Sequence, residues 1–179
     1  PLPDMASALL RAPEIARPDP PVIWIGGPPY GGVEWRGTWP EFNLRNDIAA
    51  ANVVFGSGIA IQQIPSNVYR LCGVGYAELR RRVEPCGPLG EFLVQRVADF
   101  NREHHRVPVE SRSLGDSPAI ALVLDPWCAA FRRHRPVRFT PDGHCVAAET
   151  GSDVLVVEQI DVRYFLEDML AKLAEHAES

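Results

Sequence analysis

Apolar positions along the chain switch between two periods, near 3.6 and near 2, and the switch points predict alternating helices and strands. Leu2 to Ala16 carries Met5, Leu9, Leu10 and Ile15 behind an early Asp4, which predicts a short amphipathic helix. A proline-rich stretch from Arg17 to Pro21 leads into the strand Val22–Ile25. Gly26 to Trp39 holds too many glycines and prolines for regular structure and is predicted as a loop. Asp47 suits the N-cap of an alanine-rich helix from Ile48 to Gly56, which Gly56-Ser57-Gly58 ends. Ile59 to Ile64 reads as a strand stopped by Pro65, with Asn67 to Arg70 following at its carboxyl end.

Tyr76 to Val83 and Leu89 to Glu103 are predicted helices. The second shows Leu89, Phe92, Leu93, Val97 and Phe100 at helical spacing. Ser111 to Ser117 is a polar loop containing Gly115-Asp116-Ser117-Pro118. Pro118 at a first helical position then opens a helix through Leu124, which Asp125-Pro126 ends. Val137 to Thr140, Cys145 to Glu149 and Val154 to Ile160 alternate as strands do. Asp161 caps a last helix, Val162 to Ala174, with Phe165, Met169, Leu170 and Leu173 on one face. This order predicts an α/β fold in one domain, residues 1–179, with the later strands forming an edge hairpin.

The composition narrows the function. With 46% hydrophobic and 23% charged residues the chain is long enough to bury a core. The net charge of -5 and a pI near 5.5 argue against a nucleic-acid partner. Arg80-Arg81-Arg82 and Arg132-Arg133-His134-Arg135 are the basic runs, read as solvated helix faces or turns. No apolar stretch reaches membrane-spanning length, so no membrane partner is expected. Cys72, Cys86, Cys128 and Cys145 are widely spaced, which predicts reduced thiols and a cytoplasmic location. The five histidines do not cluster at metal spacing, and His104-His105 reads as solvated. The chain opens on a helix-like pattern with Pro1, so a fragment or processed chain is expected.

Candidate chemistry gathers on loops. Glu41-Phe42-Asn43 follows the strand that runs into Gly26-Gly27 and precedes the helix near Asn46-Asp47. A carboxylate that accepts hydrogen bonds, beside a carboxamide that accepts and donates, suits a ligand with several hydroxyls, such as a sugar. Gly26-Gly27 and Gly31-Gly32 do not match a phosphate-loop spacing. Asp116 stands just before a helix N-terminus, where it serves either as a cap or as a hard-cation ligand. Trp24 belongs to the strand and is expected in the core. Trp35 and Trp39 lie in the glycine loop, as a local cover or as a stacking surface for a planar ring. No GxSxG elbow supports Ser/His/Asp catalysis.

Taken together, these segments resemble the inosine/uridine-preferring nucleoside hydrolase family. The resemblance is carried by the strand ending in Gly26-Gly27, Glu41-Phe42-Asn43, Asp47, Gly115-Asp116-Ser117-Pro118 and Leu124-Asp125-Pro126. Pro1-Leu2-Pro3-Asp4-Met5-Ala6 resembles the family's Gly-Pro-Leu-Thr-Asn-Leu-Ala helix start. Pro65-Ser66-Asn67-Val68 resembles its Pro-x-Asp/Asn-Val segment, and Val156 to Leu173 its last strand and helix. The matches run in family order over nearly the whole chain.

The resemblance implies a three-layer α/β fold with a mostly parallel sheet, incomplete at the N-terminus. It implies a hydrolase of the glycosidase class, serving purine and pyrimidine salvage, that cleaves the N-glycosidic bond of ribonucleosides to base and ribose. It implies a Ca²⁺ cofactor, with Asp116 as a metal ligand and ribose contact, and Glu41 and Asn43 as ribose contacts. Trp35 or Trp39 would face the base. The family's Asp-x-Asp-x-x-x-Asp-Asp motif, which supplies the general base, is expected upstream of Pro1, so the chain by itself is expected to show little activity. Gly115 stands where many members carry a histidine that protonates the leaving base. The alternative is therefore a non-catalytic ribose- or nucleoside-binding relative. Family members are often dimers or tetramers, so a homo-oligomer is allowed.

Overall fold

A computed structural model describes residues 2–31 and 40–178. In chain order the elements are α1 (Leu2–Arg11), β1 (Val22–Ile25), α2 (Phe42–Asn46), α3 (Ile48–Gly56), β2 (Ile61–Ile64) and α4 (Ser66–Tyr69). Next come β3 (Gly73–Gly75), α5 (Tyr76–Arg82), α6 (Gly87–His104), β4 (Ser111–Ser113) and α7 (Pro118–Leu124). The chain continues through β5 (Ala129–His134), β6 (Val137–Phe139), β7 (Cys145–Ala147), β8 (Val154–Ile160) and α8 (Val162–Glu178).

The central sheet runs in the order β1-β2-β8-β5. β1, β2 and β8 are parallel, and β5 closes the edge antiparallel to β8. Alternation along each strand sends side chains to opposite faces. Trp24, Ile61, Val154 and Val156 point to one face and pack with Leu2, Leu9, Val54 and Phe55 of α1 and α3. Ile23, Ile25, Ile64 and Val157 point to the other and pack with Val68, Leu122 and Phe165 of α4, α7 and α8. Helices on both faces of a mostly parallel sheet give the three-layer α/β arrangement that the sequence implies. A third cluster, with Val74, Leu79, Val83, Val94 and Leu170, joins α5 and α6 to α8.

Trp24 is core, as expected, packing edge-on against Phe55 with ring centroids 5.4 Å apart. Asn52 of α3 holds the end of β6: its Nδ2 donates to Phe139 O at 2.8 Å, and Phe139 N–H donates to its Oδ1 at 2.7 Å. A side-chain amide here replaces a missing strand partner.

Several elements differ from the sequence reading. The first helix ends at Arg11, and Pro13–Ile15 forms a 3-10 turn, because Pro13 has no N–H to continue the ladder. Arg132, Arg133 and His134 lie in the edge strand β5, not in a turn; Arg132 pairs with Glu158 of β8 and Arg133 with Asp153. An edge strand with one solvated face takes charged side chains readily. Residues 111–113 are not loop but pair antiparallel with Gly73–Gly75. The hairpin at the end of the chain is β6–β7, while β8 lies inside the main sheet.

Helix α6 forms as predicted, but of its predicted apolar stripe Val97 packs against the third cluster while the other four positions are exposed. Gly90, Val94 and Asn101 are its buried residues, whereas Leu89, Phe92, Leu93 and Phe100 are exposed. Gly90 sets the contact: a Cβ there would lie 1.9 Å from Val83 O, so α5 and α6 meet along the small-residue side. Among the described residues no helix is long and apolar enough to cross a membrane.

Candidate functional site

The carboxyl ends of β1 and β2 finish level, with Ile25 beside Ile64. Their outgoing turns stay joined beyond the strands: Gly26 N–H donates to Ile64 O at 3.1 Å, and Ser66 N–H to Gly27 O at 3.2 Å. Gly27 has φ +81°, and a Cβ there would meet Gln63 Nε2 at 2.4 Å, so conformation and space both require glycine. Gln63 is wholly buried. Its Nε2 donates to Gly26 O at 2.9 Å and its Oε1 accepts the Tyr30 hydroxyl at 2.7 Å, so the turn is held from beneath and from its far side.

Glu41 meets this turn from the next segment. It is 1% exposed, which a carboxylate tolerates only with partners. Its Oε2 accepts Gly27 N–H at 2.8 Å and Leu44 N–H at 3.0 Å, the second being the cap of α2. Its Oε1 accepts the Tyr69 hydroxyl at 2.7 Å. Asn43, half-buried, donates Nδ2 to Ile25 O at 3.0 Å. Both side chains are thus fixed at the carboxyl end of β1.

Tyr69, at the end of α4, connects Glu41 to the Gly115-Asp116 turn. Its ring lies where a Cβ on Gly115 would be 2.9 Å from Cδ2, and Ser113 Oγ donates to its carbonyl at 3.1 Å. Burial first, and then the hydrogen bond to Glu41, push its phenol pKa well up, so the hydroxyl stays protonated and donates. Burial, and then Cys145, act on Tyr30 in the same direction. Asp116 is exposed in the turn before α7, whose N-cap falls on Ser117. Ser66 Oγ and Asn67 Oδ1, beside the Gly27 turn, are buried with no hydrogen-bond partner among the described residues. Such atoms carry a desolvation cost that a polar ligand would relieve.

Glu41 and Asn43 thus sit at the carboxyl end of β1, and the Tyr69 ring joins Glu41 to Gly115, next to Asp116. Trp35 and Trp39 lie outside the described residues. Sequence reasoning missed Tyr69, Gln63 and Ser66. A glutamine pair inside the apolar strand Ile61–Ile64 was the available signal for Gln63, whereas nothing local marks Tyr69. Among the described residues no three His, Cys, Asp or Glu side chains come together to hold a metal. Asp116 offers one carboxylate, and a hard cation takes six or more oxygens, so these residues do not by themselves fit the ion.

Polar side chains gather at the carboxyl ends of parallel strands, which is where α/β proteins ordinarily bind small molecules. The family model "Inosine-uridine preferring nucleoside hydrolase" matches residues 1–167, and the chain belongs to that family. A purine-preferring ribonucleoside hydrolase from Gardnerella vaginalis superposes with TM-score 0.72 at 21% identity, covering 99% of this chain and 59% of that one. An inosine-uridine preferring nucleoside hydrolase from Bacillus anthracis gives TM-score 0.68 at 23% identity, over 98% of this chain and 58% of that one. An inosine-guanosine nucleoside hydrolase gives 0.74 at 17% identity, over 98% and 60%. These likenesses show the shared fold, and the chain spans about three fifths of the length of each. No curated protein matches the chain.

Proposed function

We propose that the chain carries the ribose-binding part of a hydrolase that cleaves the N-glycosidic bond of ribonucleosides to base and ribose. The observation that carries this reading is that Glu41 and Asn43 are fixed at the carboxyl end of β1, with Tyr69 linking Glu41 to the Gly115-Asp116 turn. A carboxylate has about four acceptor positions. Glu41 uses three on Gly27, Leu44 and Tyr69, which fixes the group and leaves capacity for one hydroxyl donor. Asn43 is held by its amide nitrogen, an arrangement that presents a second polar contact beside it. A fixed carboxylate near the ribose also favours the positive charge that develops as the glycosidic bond breaks.

In the complete protein Ca²⁺ would be bound with Asp116 as one of its ligands, and it would orient the ribose 2′- and 3′-hydroxyls and acidify the attacking water. Trp35 or Trp39 would stack on the base. Purine and pyrimidine salvage in the cytoplasm, and the absence of nucleic-acid and membrane partners, belong to the same reading. Calorimetry with ribose, run beside a nucleoside hydrolysis assay with and without Ca²⁺, tests the division of labour. The 179-residue chain is expected to bind ribose and release little base; substantial turnover by the chain alone would sink the proposal.

A second reading, a non-catalytic ribose- or nucleoside-binding relative, is favoured by one observation. The Tyr69 ring crowds position 115, where the family resemblance places a base-protonating histidine: a Cβ there would lie 2.9 Å from Cδ2. Nucleoside binding without product release by the complete protein would select it.

A further inference from the structure

We propose that Tyr69 is a positioning residue of the ribose site, holding the Glu41 carboxylate from the space that a side chain at position 115 would otherwise fill. The proposal rests on the reading of Glu41 as a ribose contact. Its geometry stands on three observations. The Tyr69 hydroxyl donates to Glu41 Oε1 at 2.7 Å, and it is a side-chain donor on a carboxylate whose other oxygen is taken by backbone N–H groups. The end of α4 is tied to the 113–115 segment on both sides of the ring: Ser113 Oγ donates to Tyr69 O at 3.1 Å, and Leu114 N–H to Cys72 O at 2.8 Å. Gly115 presses on the ring so closely that a β-carbon would sit 2.9 Å from Cδ2, well inside the ~3.5–4.0 Å separation of carbon atoms in contact.

These observations set a side chain at 115 against the Tyr69–Glu41 hydrogen bond. The Tyr69 backbone is tied at its carbonyl and in the turn that follows, so the ring yields most readily about its side-chain torsions. It then swings, and the hydroxyl at its far end swings with it. Position 115 thus controls Glu41 without touching it, and Tyr69 is the lever. A tyrosine suits the role because it reaches far on only two side-chain torsions and carries a donor at the tip.

The test compares Y69F, G115A, Y69A and Y69A/G115A in the 179-residue chain. The amide resonances of Gly27 and Leu44 report the Glu41 carboxylate, since both N–H groups donate to it. Calorimetry with ribose reports the site. Y69F and G115A are each expected to shift both amides and to weaken ribose binding by about tenfold, the effect of losing one hydrogen bond to a charged group. G115A is expected to add nothing to Y69A, because the smaller side chain removes the clash. A merely structural Tyr69 would lower thermal stability and leave the two amides and the ribose affinity in place, and that result overturns the proposal. Independent, additive losses in Y69A/G115A overturn it as well. An unsubstituted chain that binds no ribose sinks the ribose reading, and the amide shifts then decide the Tyr69–Gly115 coupling by themselves.

Discussion

Gly27 donates its backbone N–H to Glu41 Oε2 at 2.8 Å, and this bond locks the turn after β1 to the cap of α2. The carboxylate that reads from sequence as a ligand contact is therefore also a structural joint. Glu41→Ala leaves two backbone donors and a phenol without their acceptor in a buried place. A loss of roughly 2–4 kcal/mol is expected, from cap removal plus buried unsatisfied donors. Urea denaturation measures it. A midpoint equal to that of the unsubstituted chain would show the joint to be dispensable.

Gly27→Ala should be costly on its own. Residue 27 sits at φ +81°, and the new Cβ would meet Gln63 Nε2 at 2.4 Å. Backbone strain and displacement of a buried, doubly bonded glutamine give an expected loss of about 1–3 kcal/mol. The same denaturation series checks it, with Gly31→Ala, also at positive φ (+71°) but meeting no atom within 4 Å among the described residues, isolating the steric part.

Asp116 should behave in the opposite way. It is exposed, and the cap of α7 falls on Ser117. Asp116→Asn is expected to change stability by no more than about 0.5 kcal/mol. In the complete protein it is expected to cut nucleoside turnover and Ca²⁺ affinity together. Unchanged turnover in Asp116→Asn, measured beside a chelator-treated control, would remove Asp116 from the site.

Alkaline pH should weaken the fold through Cys72. Burial, and then the neighbouring Cys128, push its thiol from an ordinary value near 9 up to about 11. The unfolded chain ionises first. The contribution of this group is therefore whole below about pH 9 and is lost as pH rises through about 11. Denaturation midpoints for the unsubstituted chain should fall across that window more steeply than those of Cys72→Ala. Parallel curves would show that Cys72 does not titrate with unfolding.

The exposed face of α6 gives a prediction opposite to that of its sequence pattern. Phe92 is 59% exposed, so Phe92→Glu is expected to cost no more than about 0.5 kcal/mol. A core phenylalanine would cost about 3–5 kcal/mol even on truncation to alanine. Thermal unfolding of Phe92→Glu separates the two.

Local sequence determined those parts of the protein whose cause is local. Asp47 caps α3 with its Oδ1 on Ala50 N–H at 2.8 Å, and Asp161 caps α8 with its Oδ1 on Tyr164 N–H at 2.8 Å. Both follow from a short acidic side chain placed before an apolar helix. The strand Val22–Ile25, the stop at Pro65 and the turn at Gly26-Gly27 were legible for the same reason, since proline and glycine act on their own backbone torsions; most of the predicted loop to Trp39 lies outside the described residues. Glu41, Asn43 and Asp116 stood out as polar side chains beside buried strands, but only Asp116 is on a turn: Glu41 caps the short helix α2 and Asn43 lies within it, not on the predicted loop.

Tertiary structure alone decided how those side chains are joined. The α6 stripe of Leu89, Phe92, Leu93 and Phe100 has helical spacing, yet the close approach at Gly90 turned the helix the other way. The charged run 132–134 became a strand because β8 offered an open edge. Tyr69 carries no mark in its own sequence. It acquired its place when parallel pairing of β1 and β2 set their ends level and the β3–β4 pair brought Gly115 against its ring. Propensities and caps depend on neighbours a few residues apart, which the sequence states directly. The contacts of Glu41 with Gly27 and Tyr69 span 14 and 28 residues, and only packing of the whole sheet fixes such separations.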